Sequence, residues 1–173
     1  MRGRKIGLDK WRIWIYIVFI GAIEAVLTKT SLLAIRALLF LAQSEPDASL
    51  PPRRIAEALG ESPTYLAKVL RLLVRVGVLR AERGVKGGVR LNRALAQINL
   101  LTIVEACQGA ILEDYCAADC EIGRTCSFHQ AAEELHGAVT GVLSRWTLAH
   151  LAERPRPTGR LPSAIRCVMV QSP

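Results

Sequence analysis

Residues 62–93 read Ser62-Pro63-Thr64-Tyr65-Leu66-Ala67-Lys68-Val69-Leu70-Arg71-Leu72-Leu73-Val74-Arg75-Val76-Gly77, then Val78-Leu79-Arg80-Ala81-Glu82-Arg83, Gly84-Val85-Lys86-Gly87-Gly88 and Val89-Arg90-Leu91-Asn92-Arg93. Ser62 suits an N-cap and Pro63 the first helical position, where a missing N–H costs nothing. Leu66, Val69, Leu70 and Leu73 recur at helical spacing and form one apolar stripe for a core. Thr64, Lys68, Arg71 and Arg75 fall on the opposite stripe, which is polar, cationic and free of acid. Gly77 is placed to end the helix. Two short segments of roughly alternating pattern then flank a Gly-rich basic turn, the signature of a hairpin. Glycines beside Lys86 also raise the idea of a phosphate loop, but that motif needs a strand before it, a helix after it and a Lys-Ser/Thr pair. Here a second strand-like segment follows instead of a helix, and Lys86 is followed by Gly87. A helix with a basic outer face followed by a basic hairpin predicts a winged helix-turn-helix, the helix entering a major groove and the hairpin lying along the adjoining backbone or minor groove.

Outward from this stretch, charge supports the same reading. The chain has 173 residues, enough for one good core with extensions, and a formal charge of +8. Residues 29–93 hold twelve Lys/Arg against five Asp/Glu, a net of +7, whereas residues 94–173 are net −2. Positive charge gathered on the helix-turn-helix stretch is the electrostatic footprint of a polyanion binder.

Upstream, Thr30 and Ser31 are candidate caps for a mostly buried helix through Leu32, Leu33, Ile35, Leu38, Leu39 and Leu41, with Arg36 its only internal charge. Residues 43–52 read as a loop. Residues 53–59 read as a short helix, with Ile55, Ala56 and Leu59 inward, closed by Gly60. Short helix, turn and longer capped helix is the helix-turn-helix layout. At the N-terminus, Arg2, Arg4, Lys5, Lys10 and Arg12 precede an uncharged run over residues 13–23, stopped by Glu24 and too short to span a bilayer. A signal-peptide core, a membrane or partner-docking helix, and a start-site artefact with Val26 as the true first residue all fit. The last is preferred.

Downstream, residues 92–97 form a polar connection, and Ile98, Leu101, Ile103, Val104 and Ala106 predict a helix ending near Gly109. A long helical pattern then runs to about Ala152, with Leu135, Ala138, Val139, Val142, Leu143 and Trp146 as its apolar stripe. Such a helix outside a small DNA-binding core commonly pairs with its counterpart in a dimer. Residues 153–173 read as a disordered tail.

Five cysteines are present, grouped as Cys116-x3-Cys120-x5-Cys126-x2-His129, with Cys107 and Cys167 apart from the group. The odd count and tight clustering argue against a secreted disulfide framework. Three thiols and an imidazole within fourteen residues can converge on one metal centre. Iron-sulfur clusters and zinc both accept that donor set, so the residues alone leave the metal open. Cys107 reads as a small core residue and Cys167 as incidental. No Gly-x-Ser-x-Gly, His-Glu-x-x-His or dinucleotide fingerprint is present, so an enzyme, including a cysteine-based redox protein, is not expected.

Taken together these residues resemble the Rrf-type (IscR/NsrR-like) winged helix-turn-helix transcriptional regulators. The resemblance is carried by Leu27-Thr28-Lys29, Ala34-Ile35-Arg36-Ala37-Leu38-Leu39, Ile55-Ala56-Glu57, Ser62-Pro63-Thr64-Tyr65-Leu66, Gly77-Val78-Leu79, Arg83-Gly84-x-x-Gly87-Gly88-x-x-Leu91, the three cysteines with His129, and Thr147-Leu148-Ala149-x-Leu151. It covers residues 27–152. It implies a mainly α fold with a small β-hairpin wing and a long C-terminal dimerisation helix. The domain plan is an N-terminal extension over 1–26, a DNA-binding region over 27–97, a cluster loop and dimerisation helix over 98–152, and the tail. It implies a cytoplasmic homodimer on a palindromic double-stranded operator, with no small-molecule substrate and no membrane role. Operator contacts are implied at Thr64, Tyr65 and Lys68, with Arg71 on the same basic face, and at Arg83, Gly87 and Gly88 of the wing, where Lys86 adds charge. It implies an iron-sulfur cluster held by Cys116, Cys120, Cys126 and His129; a histidine ligand favours two irons, and a four-iron centre remains open. The chain departs from the pattern at Leu33, where an aromatic residue is usual, at Ala67, where the assembly regulator has an acid, and in the short Cys116–Cys120 spacing. A zinc-stabilised or cluster-free DNA-binding regulator is the alternative.

Overall fold

The computed structural model describes residues 26–44, 49–84, 87–111 and 127–154. Among the described residues the elements follow in the order α1 Lys29–Ala42, α2 Pro52–Leu59, α3 Pro63–Arg75, β1 Leu79–Glu82, β2 Gly88–Leu91, a 3-10 turn Leu95–Gln97, α4 Leu100–Gln108, α5 Ser127–Arg145 and α6 Leu148–Glu153. The mainly α fold with a hairpin wing is the one expected.

α1 is the central element, packing against α2, α3, α4, α6 and β2. Its Leu33, Ala34, Ile35, Ala37, Leu38, Leu39 and Leu41 are buried, so apolar side chains surround it on nearly every side. Ile55 and Ala56 of α2, Leu66, Val69, Leu70 and Leu73 of α3, and Val78, Leu79 and Val89 of the hairpin complete one core with Ile98, Ile103 and Leu148. The helix begins earlier than the pattern of Thr30 and Ser31 suggests. Thr28 is its N-cap, its side chain accepting from the Ser31 amide, and Ser31 is fully buried with its hydroxyl donating back to the Thr28 carbonyl at 2.9 Å. A Thr three residues before a Ser offers both arrangements locally; the burial of Ser31 selects this one.

The two helices of the helix-turn-helix end alike. Gly60 (φ 64°) and Gly77 (φ 71°) lie in the left-handed region that only glycine adopts without strain. After α3, Val78 N–H reaches Leu73 O and Gly77 N–H reaches Val74 O, both at 3.0 Å, which satisfies the last carbonyls of the helix. α2 starts at Pro52, one residue before the sequence pattern begins. At α3, Ser62 is the N-cap residue but its side chain makes no capping hydrogen bond. The turn between the helices is held from the side by Arg36 of α1, whose guanidinium donates to Glu61 Oε1 and to the Leu59 carbonyl, both at 3.1 Å.

Two findings lie outside the pattern of the sequence. The loop before α2 is partly paired: Leu50 N–H donates to Val89 O at 3.0 Å and Val89 N–H returns to Leu50 O at 2.9 Å. The wing is thereby pinned to the start of α2. The long C-terminal helix is also two helices. Helical hydrogen bonding stops at Trp146, because Trp146 O accepts from Leu100 N–H at 2.9 Å and Leu148 N–H donates to Ile98 O at 2.8 Å. Thr147 then starts α6 with a capping box whose partner is His150. The apolar stripe divides accordingly. Leu143 is buried and, with half-buried Val139, packs against Val104 and Ile111, whereas Leu135, Val142 and Trp146 are exposed.

Readings of residues 1–25, of the Pro46-containing part of the loop, of Lys86, of Cys116, Cys120 and Cys126, and of the tail beyond residue 154 fall outside the described residues. No described helix is long and apolar enough to cross a membrane.

Candidate nucleic-acid interface

α3 presents two faces because one is fixed by the core. With Leu66, Val69, Leu70 and Leu73 all buried, the 3.6-residue period obliges the opposite stripe to face water. Thr64, Lys68, Arg71 and Arg75 are exposed there. Of the described residues on this stripe none is acidic. Tyr65, at the leading end, is 37 % exposed, and its hydroxyl shares a 2.8 Å hydrogen bond with Thr30 Oγ1 of α1.

The hairpin stands next to α3. Its register pairs Leu79 with Leu91, Arg80 with Arg90, Ala81 with Val89 and Glu82 with Gly88. Leu79 and Val89 turn inward, which leaves Arg80, Glu82 and Arg90 on the other side. Arg90 Nε is 2.6 Å from Glu82 Oε1, so part of the wing's charge is satisfied within the hairpin. Arg83, at the tip, is exposed.

Gly87 and Gly88 carry a steric role independent of any ligand. A Cβ on Gly87 would fall 2.5 Å from Glu82 O, across the turn it closes, and one on Gly88 would fall 2.4 Å from both Leu50 C and Leu50 O. The glycines of the wing signature are therefore needed for the wing to close and to lie against Leu50. Two further side chains, unremarked by sequence pattern, tie the same region together. Asn92 Nδ2 donates to Gly77 O and Arg93 Nη2 to Val76 O, each at 3.0 Å, capping the end of α3 from beyond the wing. Their only signal in the sequence is a polar pair just after the second strand.

Of the proposed metal ligands, only His129 is a described residue. It sits in the first turn of α5, its side chain 16 % exposed and Nε2 3.7 Å from Glu133 Oε1. Among the described residues there is no group of three His, Cys, Asp or Glu side chains able to hold a metal ion. Cys107 is separate, packed against the main core from α4, and burial pushes its thiol up to about 11. Its thiolate fraction at pH 8 is then about a hundredfold below that of an ordinary thiol. Timed alkylation with peptide mass mapping should find Cys107 modified last; labelling as fast as a free thiol would show that the site opens readily.

Comparison with known proteins agrees with this geometry. Residues 27–154 match the model of the Rrf2 family, described as an iron-dependent transcriptional regulator. The chain is 32 % identical over 135 residues to protein aau3 of Rhizobium meliloti, covering 75 % of this chain and 87 % of that protein. Among solved structures, CymR, the global cysteine regulator of B. subtilis, aligns with a TM-score of 0.62 at 22 % identity, covering 73 % of this chain and 95 % of that one. IscR of T. potens aligns at 0.58 with 23 % identity, over 73 % of this chain and 85 % of that one. At these identities the two structures attest the fold.

Proposed function

The chain belongs to the Rrf2 family of transcriptional regulators, and we propose from there that it is a cytoplasmic homodimeric repressor or activator whose grip on a palindromic operator is tuned by an iron-sulfur cluster. The observation that carries the DNA-binding part is the acid-free exposed face of α3 opposite its buried stripe, with Arg83 at the tip of the adjoining wing. In this reading α3 lies in the major groove, with Thr64, Tyr65, Lys68 and Arg71 toward the bases and backbone, and Arg83 and Lys86 reach the neighbouring phosphates or minor groove. The wing glycines shape that contact.

The dimer is supported by α5. Phe128, Leu135 and Val142, seven residues apart in turn, and Trp146 are all exposed although large and apolar. A seven-residue apolar repeat left in water fits the seam of a helix pair. Two-fold pairing through α5 would set two copies of α3 against two half-sites, hence a palindrome.

The donor set of Cys116, Cys120, Cys126 and His129 suits a cluster: thiolates are its usual ligands and a histidine can replace one. His129, largely covered at the start of α5, follows directly on the cysteine segment. Such a centre would supply sensitivity to iron, oxidant or nitric oxide. The other reading keeps the DNA-binding surface and makes the cysteines zinc-binding or metal-free. Zinc accepts the same three thiolates and imidazole, which is what supports it.

Anaerobic purification with a visible spectrum and iron, sulfide and zinc analysis separates the two. Matched iron and sulfide, lost in Cys120→Ala, is the expected result; a colourless protein after anaerobic reconstitution would leave the regulator and remove the cluster. For the wing, Arg83→Ala should weaken binding to duplex DNA and flatten log Kd against log salt by about one unit. An unchanged slope would take Arg83 out of the interface.

A further inference from the structure

Tyr65 differs from the rest of the α3 face, because its polar end already has a partner within the protein. The Tyr65 hydroxyl and Thr30 Oγ1 share a hydrogen bond at 2.8 Å across 35 residues of sequence. Thr30 belongs to the first turn of α1, and that turn is itself held. Thr28 caps it through the Ser31 amide. Gln108, the last residue of α4, donates from Nε2 to the Val26 carbonyl at 3.0 Å and accepts the Thr28 amide at 3.2 Å. The helix that follows is the buried centre of the fold. The anchor is thus fixed from both sides, while the ring it holds remains 37 % exposed at the leading end of α3.

We infer that Thr30 is a positioning residue for operator reading, and that Tyr65 reads a base step with its ring carbons instead of its hydroxyl. This rests on the reading of α3 as the recognition helix. A tyrosine with a free hydroxyl swings about two side-chain torsions and must be immobilised when it meets DNA, which weakens binding. Fixed at its far end by Thr30, the ring reaches the duplex in one orientation. With its hydroxyl held at the protein surface by Thr30, the ring turns its carbon edge to the major groove, and the matching base feature is the thymine methyl group. Thr30 touches no base and contributes discrimination through Tyr65 alone.

The test uses the full chain, and as probe the duplex that the wild-type protein selects from a randomised pool. The readout is the ratio of its Kd on that duplex to its Kd on duplexes with one A·T pair of a half-site changed, all at one salt concentration. Thr30→Val and Tyr65→Phe are each expected to lose about fivefold in this ratio, the factor of one ordinary net hydrogen bond. The double variant should lose no more than either single variant, and Thr30→Ser should keep the wild-type ratio. Melting temperatures should move little, since an exposed hydrogen bond adds little stability. Ratios unchanged in both single variants would overturn the inference. So would a loss confined to Tyr65→Phe, which would place the hydroxyl on the DNA, or losses that multiply in the double variant, which would make the two hydroxyls independent. If the wild-type chain selects no duplex at all, the recognition-helix reading falls and takes the inference with it; the variants alone cannot produce that result.

Discussion

Gly88→Ala is expected to lower the melting temperature by roughly 6–12 °C, from a loss of about 3 kcal/mol in a chain of this size. The added methyl would sit 2.4 Å from Leu50 C and Leu50 O and 2.8 Å from Pro51 N. All three are backbone atoms, so no side-chain rotation relieves the clash. Nor can the opposing backbone yield easily. Pro51 and Pro52 have fixed φ angles, Leu50 precedes a proline and is confined to extended geometry, and Pro52 opens α2. Either the paired Leu50 and Val89 amides separate or the whole hairpin moves outward. The wing then loses its tie to the helix-turn-helix, and binding to duplex DNA should weaken together with stability. Thermal melting followed by circular dichroism reads the first effect, and fluorescence anisotropy on the selected duplex the second. A variant melting within about 2 °C of wild type would mean that the contact relaxes at little cost.

The second large effect is expected at Arg36, the one charge inside α1. Its side chain is 12 % exposed and serves two acceptors at once, Oε1 of Glu61 in the turn between α2 and α3 and the carbonyl of Leu59 at the end of α2. Arg36→Met keeps the packing of the stem and removes both contacts. Breaking a fully buried pair costs about 3–5 kcal/mol. Glu61 is 29 % exposed here and recovers part of its hydration, so the expected loss is about 2 kcal/mol. Arg36→Lys should lose about half of that, because a single ammonium cannot serve both acceptors with the geometry of the fork. Urea unfolding at constant slope measures both. A Met variant as stable as wild type would show that water replaces the guanidinium, and that the angle of the helix-turn-helix is held by its core alone.

Much of the site is legible in the amino-acid sequence because its signals are local. The leading proline, the two stripes of α3 and the closing glycines at 60 and 77 each follow from a few consecutive residues and a fixed helical period. The hairpin pairing follows the same logic, since its two arms lie within one short stretch. The three cysteines with His129 read as a candidate ligand set by chemistry alone, and Cys116, Cys120 and Cys126 fall outside the described residues. Other features give a misleading or silent local pattern. The helical pattern that is expected to run to about Ala152 meets no Gly or Pro after Gly141, yet the helix ends at Arg145.

Order along the chain was enough to dictate which faces are apolar, where helices α2 and α3 start and stop to within a residue, and where cationic charge gathers. Those properties depend on spacing and on each residue's own conformational preferences. What those faces and backbone groups meet was left to the packed fold. Leu50 pairs with Val89, Ile98 and Leu100 take the backbone groups that end α5 and begin α6, Gln108 grips the start of α1, and Thr30 holds Tyr65. Each of these joins ordinary backbone or polar groups far apart in the chain. Such groups accept any partner of suitable geometry, so composition at either end carries no record of the choice, and only the packing of α1 at the centre brings the two ends together.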